Sequence, residues 1–169
     1  MSNIPINRLN KFFSEEDFIL NQSIGMEYLH GDINMKLVLF RVDVSKTSID
    51  DVYAEVGKDK ISFLAPVEFN GLVRIEEAKN NTYNNGLVRY NEPGNMTISV
   101  YIKHLDELGV DIKYADYIGY SETEDKIRYY TVVNDGKVTS DNKHKMFGYK
   151  PHYRTITCTI AQETEFRGI

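Results

Sequence analysis

The chain has 169 residues with 41% hydrophobic content, enough for one domain with a sizeable core. Its net charge of −5 disfavours a dedicated nucleic-acid binder, because such proteins usually carry a basic face. A single cysteine excludes an intrachain disulfide, and the 12 tyrosines suit half-buried strands and subunit contacts.

The first dozen residues, 1–12, are predicted to form an extended arm, because their apolar residues have no clean period. No apolar stretch typical of a secretory signal occurs there, and the longest apolar run, residues 37–40, is too short to span a membrane. Ser14 followed by three acids predicts a helix start, since a serine N-cap and early carboxylates suit the helix macrodipole. We expect this helix to run to about Tyr28 and to end before Gly31.

The middle of the chain predicts strands separated by turns. Residues 33–44, INMKLVLFRVDV, are apolar on both faces at their centre and predict a strand covered on both sides. A second helix-cap pattern precedes the short segment DVYAEV. Residues 61–77 predict further strands, interrupted at Asn70-Gly71 by a bulge or a tight hairpin. The polar residues 78–95 predict a long loop or an extended hairpin.

Residues 96–102 show the cleanest alternation and predict a half-buried strand, followed by a helical turn closed by Gly109. Three more strands are predicted near residues 114–120, 127–133 and 153–161. Residues 162–169 are expected to form an exposed tail. The chain is thus predicted to be a single, mainly β domain, a barrel or sandwich. It should carry two or three short helices, including one near the N-terminus.

The sequence contains no P-loop, dinucleotide fingerprint, nucleophile elbow or zinc-protease motif. His104, with Asp106 and Glu107, is the most site-like group, but a surface or cap role is favoured over metal binding. His144 and His152 are interpreted as exposed loop histidines, and Cys158 as a buried, inert thiol. One cationic group is interpreted as part of a solvated loop: Lys143, Lys145, Lys150 and Arg154. We therefore expect no catalytic residue, no cofactor and no metal.

Several short segments occur in a notable order. They include DVYAE, then MTISVYIKHLDELGV, ADYIGY, IRYYTVVNDG and the closing YRTITCTIA. This order resembles the neck, or head-to-tail connector, proteins of contractile-tailed bacteriophages, over roughly two thirds of the chain. Two positions depart from that family's pattern, because Ala54 and Ala115 stand where it tends to have glycine.

The resemblance implies a β-barrel-like structural virion protein that forms a ring between portal and tail, completes the head and channels DNA. The implied partners are copies of itself, portal or adaptor proteins and tail proteins of the same virion. Genomic DNA would pass through the ring transiently. Assembly would take place in the host cytoplasm and involve no membrane. The interface candidates are aromatic and arginine residues of projecting segments: Phe12, Phe13, Tyr83, Arg89, Tyr90 and Phe166.

Two alternatives stay open. One is another phage tail or baseplate structural protein with a similar barrel. The other, from a different class, is a small β-barrel module that binds a ligand or single-stranded nucleic acid, whose bases stack on tyrosine rings. A ring would favour the neck protein, and a stable monomer that binds oligonucleotide would favour the binding module. An enzyme is the least favoured class.

Overall fold

The computed structural model describes residues 14–47, 61–83, 88–92, 94–123, 126–137 and 151–161. In these ranges, helix α1 spans Glu15–Glu27 and continues as a π-helix over Tyr28–Ile33, and helix α2 spans Ile102–Leu108. The strands are β1 (Lys36–Phe40), β2 (Val67–Asn70), β3 (Leu72–Ile75), β4 (Lys79–Tyr83), β5 (Val88–Glu92), β6 (Met96–Tyr101), β7 (Tyr117–Thr123), β8 (Lys126–Asn134) and β9 (Tyr153–Ile160). The predicted mainly β fold with short helices, one near the N-terminus, is confirmed.

Seven strands form one antiparallel sheet in the order β2-β1-β7-β8-β9-β6-β3. The two edge strands, β2 and β3, are consecutive in the sequence, with only Gly71 between them. β2 pairs with β1 in the register Leu37↔Phe69, and β3 pairs with β6 in the register Val73↔Ile98. Since two residues span at most ~7 Å of chain, the sheet must curl until its edges meet at Gly71. The result is a single barrel-like sheet rather than a two-sheet sandwich.

Gly71 is the point at which this sheet closes. A Cβ atom there would lie 2.9 Å from Ile98 Cγ2 and 3.1 Å from Leu37 Cδ1, so side chains of β6 and β1 both approach its backbone. Its N–H donates to the Met35 carbonyl at 3.2 Å. A tight hairpin at Asn70-Gly71 is wrong, because β2 and β3 do not pair with each other. The chain instead passes from one partner strand to another, at a corner that requires a residue without a side chain.

The barrel interior is filled by side chains at alternate strand positions. Ile98 of β6 and Ile156 of β9 are register partners, as are Met96 and Cys158, and all four are fully buried. Burial raises the pKa of the Cys158 thiol to about 12, which agrees with the predicted inert thiol. The remaining core residues are Leu37, Leu39, Phe69, Val100, Leu105, Ile112, Ile118, Tyr130 and Val132.

Aromatic rings cover the outer side of the sheet around β1. The Phe40 ring packs edge to face on Phe63 and Tyr129, with centroids 6.1 and 5.7 Å away, and Phe63 packs on Tyr117 at 5.8 Å. An isolated β-bridge pairs Phe63 with Val42. Among the described residues no strand longer than this bridge forms at Phe63, although the sequence predicted one there. Strand β1 is therefore covered on both sides, as its two apolar faces indicate.

Candidate assembly surface

Helix α1 begins at the predicted residue. Ser14 Oγ accepts the N–H of Asp17 at 3.2 Å, and Asp17 Oδ2 accepts the N–H of Ser14 at 2.9 Å. This capping box satisfies two helix-end donors, and the hydrogen bonds from Ser14 lower the pKa of Asp17. The α-helix ends next to Tyr28, as predicted, but the helical segment does not stop at Gly31. The helix widens into its π-helical turn and stops at Asn34, where φ is 44°.

One face of this helical segment packs where β6 ends and β9 begins. Phe18 is buried, and its ring stacks on His152 with centroids 4.2 Å apart. Gly25 lies against Tyr101, since a Cβ atom at position 25 would fall 1.9 Å from the Tyr101 hydroxyl. Leu29 is buried in the following turn. The spacing of residues 18, 25 and 29 defines one helix face, which is the face docked on the barrel.

Another side of this helical segment carries a second apolar row, called here the outer stripe. It consists of Leu20, Ile24 and Tyr28, which follow at intervals of four residues and are 58%, 57% and 57% exposed. The exposed acids Glu16 and Glu27 flank it. Single exposed apolar residues are ordinary on protein surfaces. An aligned row on a helix whose other face is already packed is instead typical of an interaction surface.

A second candidate element is the ribbon formed by β4 and β5, which pair only with each other among the described strands. The register places Thr82 opposite Arg89, Asn81 opposite Tyr90, and Tyr83 opposite the first residue of β5. Because strand positions alternate between faces, positions 83 and 90 share one face of the ribbon and position 89 belongs to the other. Three predicted interface residues, Tyr83, Arg89 and Tyr90, thus belong to one ribbon.

The other interface candidates, Phe12, Phe13 and Phe166, lie outside the described residues, as do the segment DVYAEV and the polar loop that includes Lys143. The outer stripe is missing from the predicted interface. Its signal was present in the sequence as apolar residues at intervals of four along α1. The same helix carries apolar residues on its docked face, so spacing alone does not tell which row is buried.

A cluster of ion pairs anchors the loop before β7. Arg41 Nε donates to Asp116 Oδ1 at 2.9 Å, and this pairing raises the pKa of Arg41 despite its partial burial. The Lys113 N–H donates to Asp116 Oδ2 at 2.8 Å. From β9, Arg154 reaches Asp111 Oδ1 at 3.1 Å. The prediction that Arg154 belongs to a solvated loop is wrong, because it is 5% exposed at an inward position of a barrel strand.

Ala115 lies in this anchored loop with φ of 66°. Its N–H donates to the Val132 carbonyl at 2.9 Å, and the Asp116 carbonyl accepts the N–H of Val132 at 2.8 Å. A left-handed conformation costs a residue with a Cβ atom roughly 1–2 kcal/mol. The hydrogen bonds on both sides of Ala115 therefore hold it in a conformation that glycine would adopt without this cost.

A cavity of about 340 Å³ lies beside the ion pairs, with Leu105, Val110, Asp111, Lys137 and Arg154 in its lining. Lys137 Nζ lies 2.7 Å from Asp111 Oδ2. Burial works to raise the pKa of Asp111, but the hydrogen bond from Lys137 and the charge of Arg154 lower it below its usual value. Asp111 therefore pairs with both Lys137 and Arg154, although the buried Arg154 Nε has no hydrogen-bond partner among the described residues.

The histidines are placed differently from their predicted roles. His104 and His152 are both buried, so the predicted surface role of the first and loop exposure of the second are wrong. The N-terminal helical segment contacts both imidazoles, through His30 and Phe18 respectively. Within the described ranges, no group of three or more His, Cys, Asp and Glu side chains is arranged to hold a metal ion. No helix in the same ranges combines the length and apolar character needed to cross a bilayer.

Comparison with protein-family models, with curated proteins and with solved structures finds no match to this chain. Its function is therefore inferred from two sources. One is the pair of surface elements described above, the outer stripe and the β4–β5 ribbon, and the other is the order of its sequence segments.

Proposed function

We propose that this chain is a structural virion protein of the phage neck. In this role it assembles with its own copies into a ring between portal and tail, completes the head and channels DNA. The outer stripe carries the proposal, because an apolar row on a helix already docked by its other face needs a second surface to cover it. A ring uses two different patches of each subunit, and we assign the β4–β5 ribbon, whose sequence includes Tyr83, Arg89 and Tyr90, to the other contact.

The placement of the resembling segments gives further support. IRYYTVV lies in β8 and YRTITCTI forms β9, while ADYIGY leads into β7, so three of the segments are neighbours in the sheet. The resemblance places glycine at position 115, and the backbone of Ala115 has the left-handed φ that glycine accommodates. A neck-type sequence would therefore fit this loop with less strain than the present one.

The mass and shape of the particles that the 169-residue chain forms in solution test the proposal. Mass photometry and negative-stain images should show closed rings with a uniform number of subunits, because heterologous contacts that close by rotation give a fixed stoichiometry. A chain that stays monomeric at ~100 μM, and does not bind an isolated portal ring, would overturn the proposal. A ring that binds tail components but no portal would favour the alternative of a tail or baseplate protein.

Substitutions in the outer stripe test the surface itself. Leu20→Glu combined with Ile24→Glu places two carboxylates in the stripe and should convert rings into monomers, because charges are disfavoured in an interface core. The unfolding midpoint should barely change, since both positions are more than half exposed. Ile127→Glu on β8, at a position 58% exposed, is the matched control and should still form rings. Normal assembly of the stripe variant would exclude the stripe as the interface.

The cavity beside Arg154 favours one alternative, a small barrel that binds a ligand. Its volume of about 340 Å³ falls within the range of small-molecule sites, at the lower end. The internal pairing of Asp111 with Arg154 and Lys137 leaves little uncompensated charge for a ligand. Titration of the chain with a labelled single-stranded oligonucleotide, and a thermal-shift screen of small ligands, test this alternative. Saturable binding by a stable monomer would favour it over the ring.

A further inference from the structure

His104 links helix α2 to the closing strand of the barrel. It is 7% exposed, and its Nε2 accepts the backbone N–H of Asn70 at 3.0 Å. Only an unprotonated ring nitrogen has a lone pair for this bond, so the folded state requires a neutral imidazole. Asn70 is the last residue of β2, directly before Gly71. The acceptor on His104 therefore satisfies a main-chain donor at the point where the sheet closes.

His30 of the π-helix lies against the same imidazole. The two ring centroids are 4.5 Å apart, with the planes at 73°. Burial lowers the pKa of His104, the charge of His30 lowers it further, and Glu107 on α2 works to raise it. On the β2 side His104 meets the uncharged Asn70, whose side-chain amide donates to Asn34 Oδ1 at 3.4 Å. Two imidazolium rings at this separation would repel each other.

The other end of the helical segment docks on a histidine as well. The Phe18 ring stacks on His152 with an interplanar angle of 17°, and burial lowers the pKa of His152. Between these two ends the segment touches the barrel at Gly25 and buries Leu29. Burial thus disfavours the charged form of both histidines in the docked state.

We propose that the contact of His30, His104 and Asn70 is an acid-sensitive latch that holds the N-terminal helical segment on the barrel. Proton uptake by His104 removes the acceptor for the Asn70 N–H and places a cation against His30. The latch does not depend on ring assembly. Strands β8 and β9 pair through their own backbones, so they keep their pairing when the latch opens.

The direction of the pH effect follows from linkage. In the docked state the pKa of His104 is lowered from 6.5, so the undocked state binds more protons below that value. The stabilising contribution of the latch is fully present above the ordinary histidine pKa. It is lost progressively as the pH falls from that value toward the lower pKa of the docked state.

Amide hydrogen exchange on the full-length chain at about pH 7.5 and about pH 5, corrected for intrinsic rates, tests the latch. At the lower pH, protection of Glu15–Ile33 relative to β8 and β9 should fall by more than about twofold. A relative protection that stays constant within about twofold would overturn the proposal.

Variants separate the latch from general acid destabilisation. His104→Gln keeps a side-chain acceptor that cannot be protonated, so it should remove most of the pH-dependent loss. A wild-type response in this variant contradicts the latch. His30→Gln, which keeps the bond to Asn70, serves if the first variant does not fold. It should show a smaller loss because the repulsion is gone, and an unchanged loss again contradicts the latch. Asp106→Asn, at an exposed position of α2, is the control and should respond like the wild type.

Discussion

The barrel interior and the helical segment that lies against it are held by different kinds of contact. In the interior, Ile98 and Ile156 are fully buried register partners on adjacent strands. The segment Glu15–Ile33 docks through separated contacts, including Phe18 on His152 and Gly25 on Tyr101. The barrel is therefore the structural core of the molecule. The helical segment packs on its outside and leaves part of its own apolar surface exposed.

This difference arises from where the backbone hydrogen bonds are made. A strand of the curled sheet depends on neighbouring strands for its hydrogen bonds, so loss of one strand exposes the donors and acceptors of others. A helix satisfies its own interior backbone groups and can leave its docking site without breaking them. Damage to the interior should therefore lower global stability, whereas damage to the docked face should act locally.

The largest effect is expected in the interior. Ile156→Ala leaves a cavity at a fully buried position and should lower the free energy of unfolding by about 3 kcal/mol, as measured by urea denaturation. Ile160→Ala makes the same change on the same strand at a position 38% exposed, and should cost less than about 1 kcal/mol. Equal losses of stability at the two positions would contradict the burial of Ile156 in the barrel interior.

A smaller, local effect is expected at the docked helix face. Gly25→Ala would stabilise an isolated helix by about 1 kcal/mol, but here the new Cβ atom meets the Tyr101 ring. We expect a net loss of about 1 kcal/mol, with hydrogen exchange faster in α1 than in the barrel. Adding Tyr101→Phe, which removes the hydroxyl, should recover part of the loss. Gly31→Ala, with no atom within 4 Å, is the control, and stabilisation by both alanines would argue against docking.

The smallest effect is expected at Ala115, in the loop that precedes β7. Ala115→Gly relieves a left-handed backbone conformation and should stabilise the chain by about 0.5–1 kcal/mol, since the entropy of glycine offsets part of the gain. Thermal unfolding would show a raised midpoint. Ala65→Gly, in an exposed loop without positive φ, should lower the midpoint slightly. A lowered midpoint for Ala115→Gly would mean that the loop does not hold this conformation in solution.

Features that depend on a few neighbouring residues were predictable from the sequence. The capping box at Ser14, the helical turn closed by Gly109 and the alternation of β6 all occur as predicted. The closure at Gly71 was not predictable, because an Asn-Gly pair between apolar runs is equally typical of a hairpin turn. The burial of Arg154 and His104 was missed for a related reason. Their partners, Asp111 and Asn70, are distant in the sequence.

By itself the sequence determined a mainly β chain with a capped N-terminal helix, because periodicity and capping are local properties. The tertiary structure alone decided which apolar row of that helix is buried. Phe18 and Leu29 meet the barrel, while Leu20 and Ile24 do not. The hydropathy of the helix cannot decide which row is buried, because burial depends on which other surface of the fold packs against the helix. The candidate site is the row that this pairing leaves uncovered.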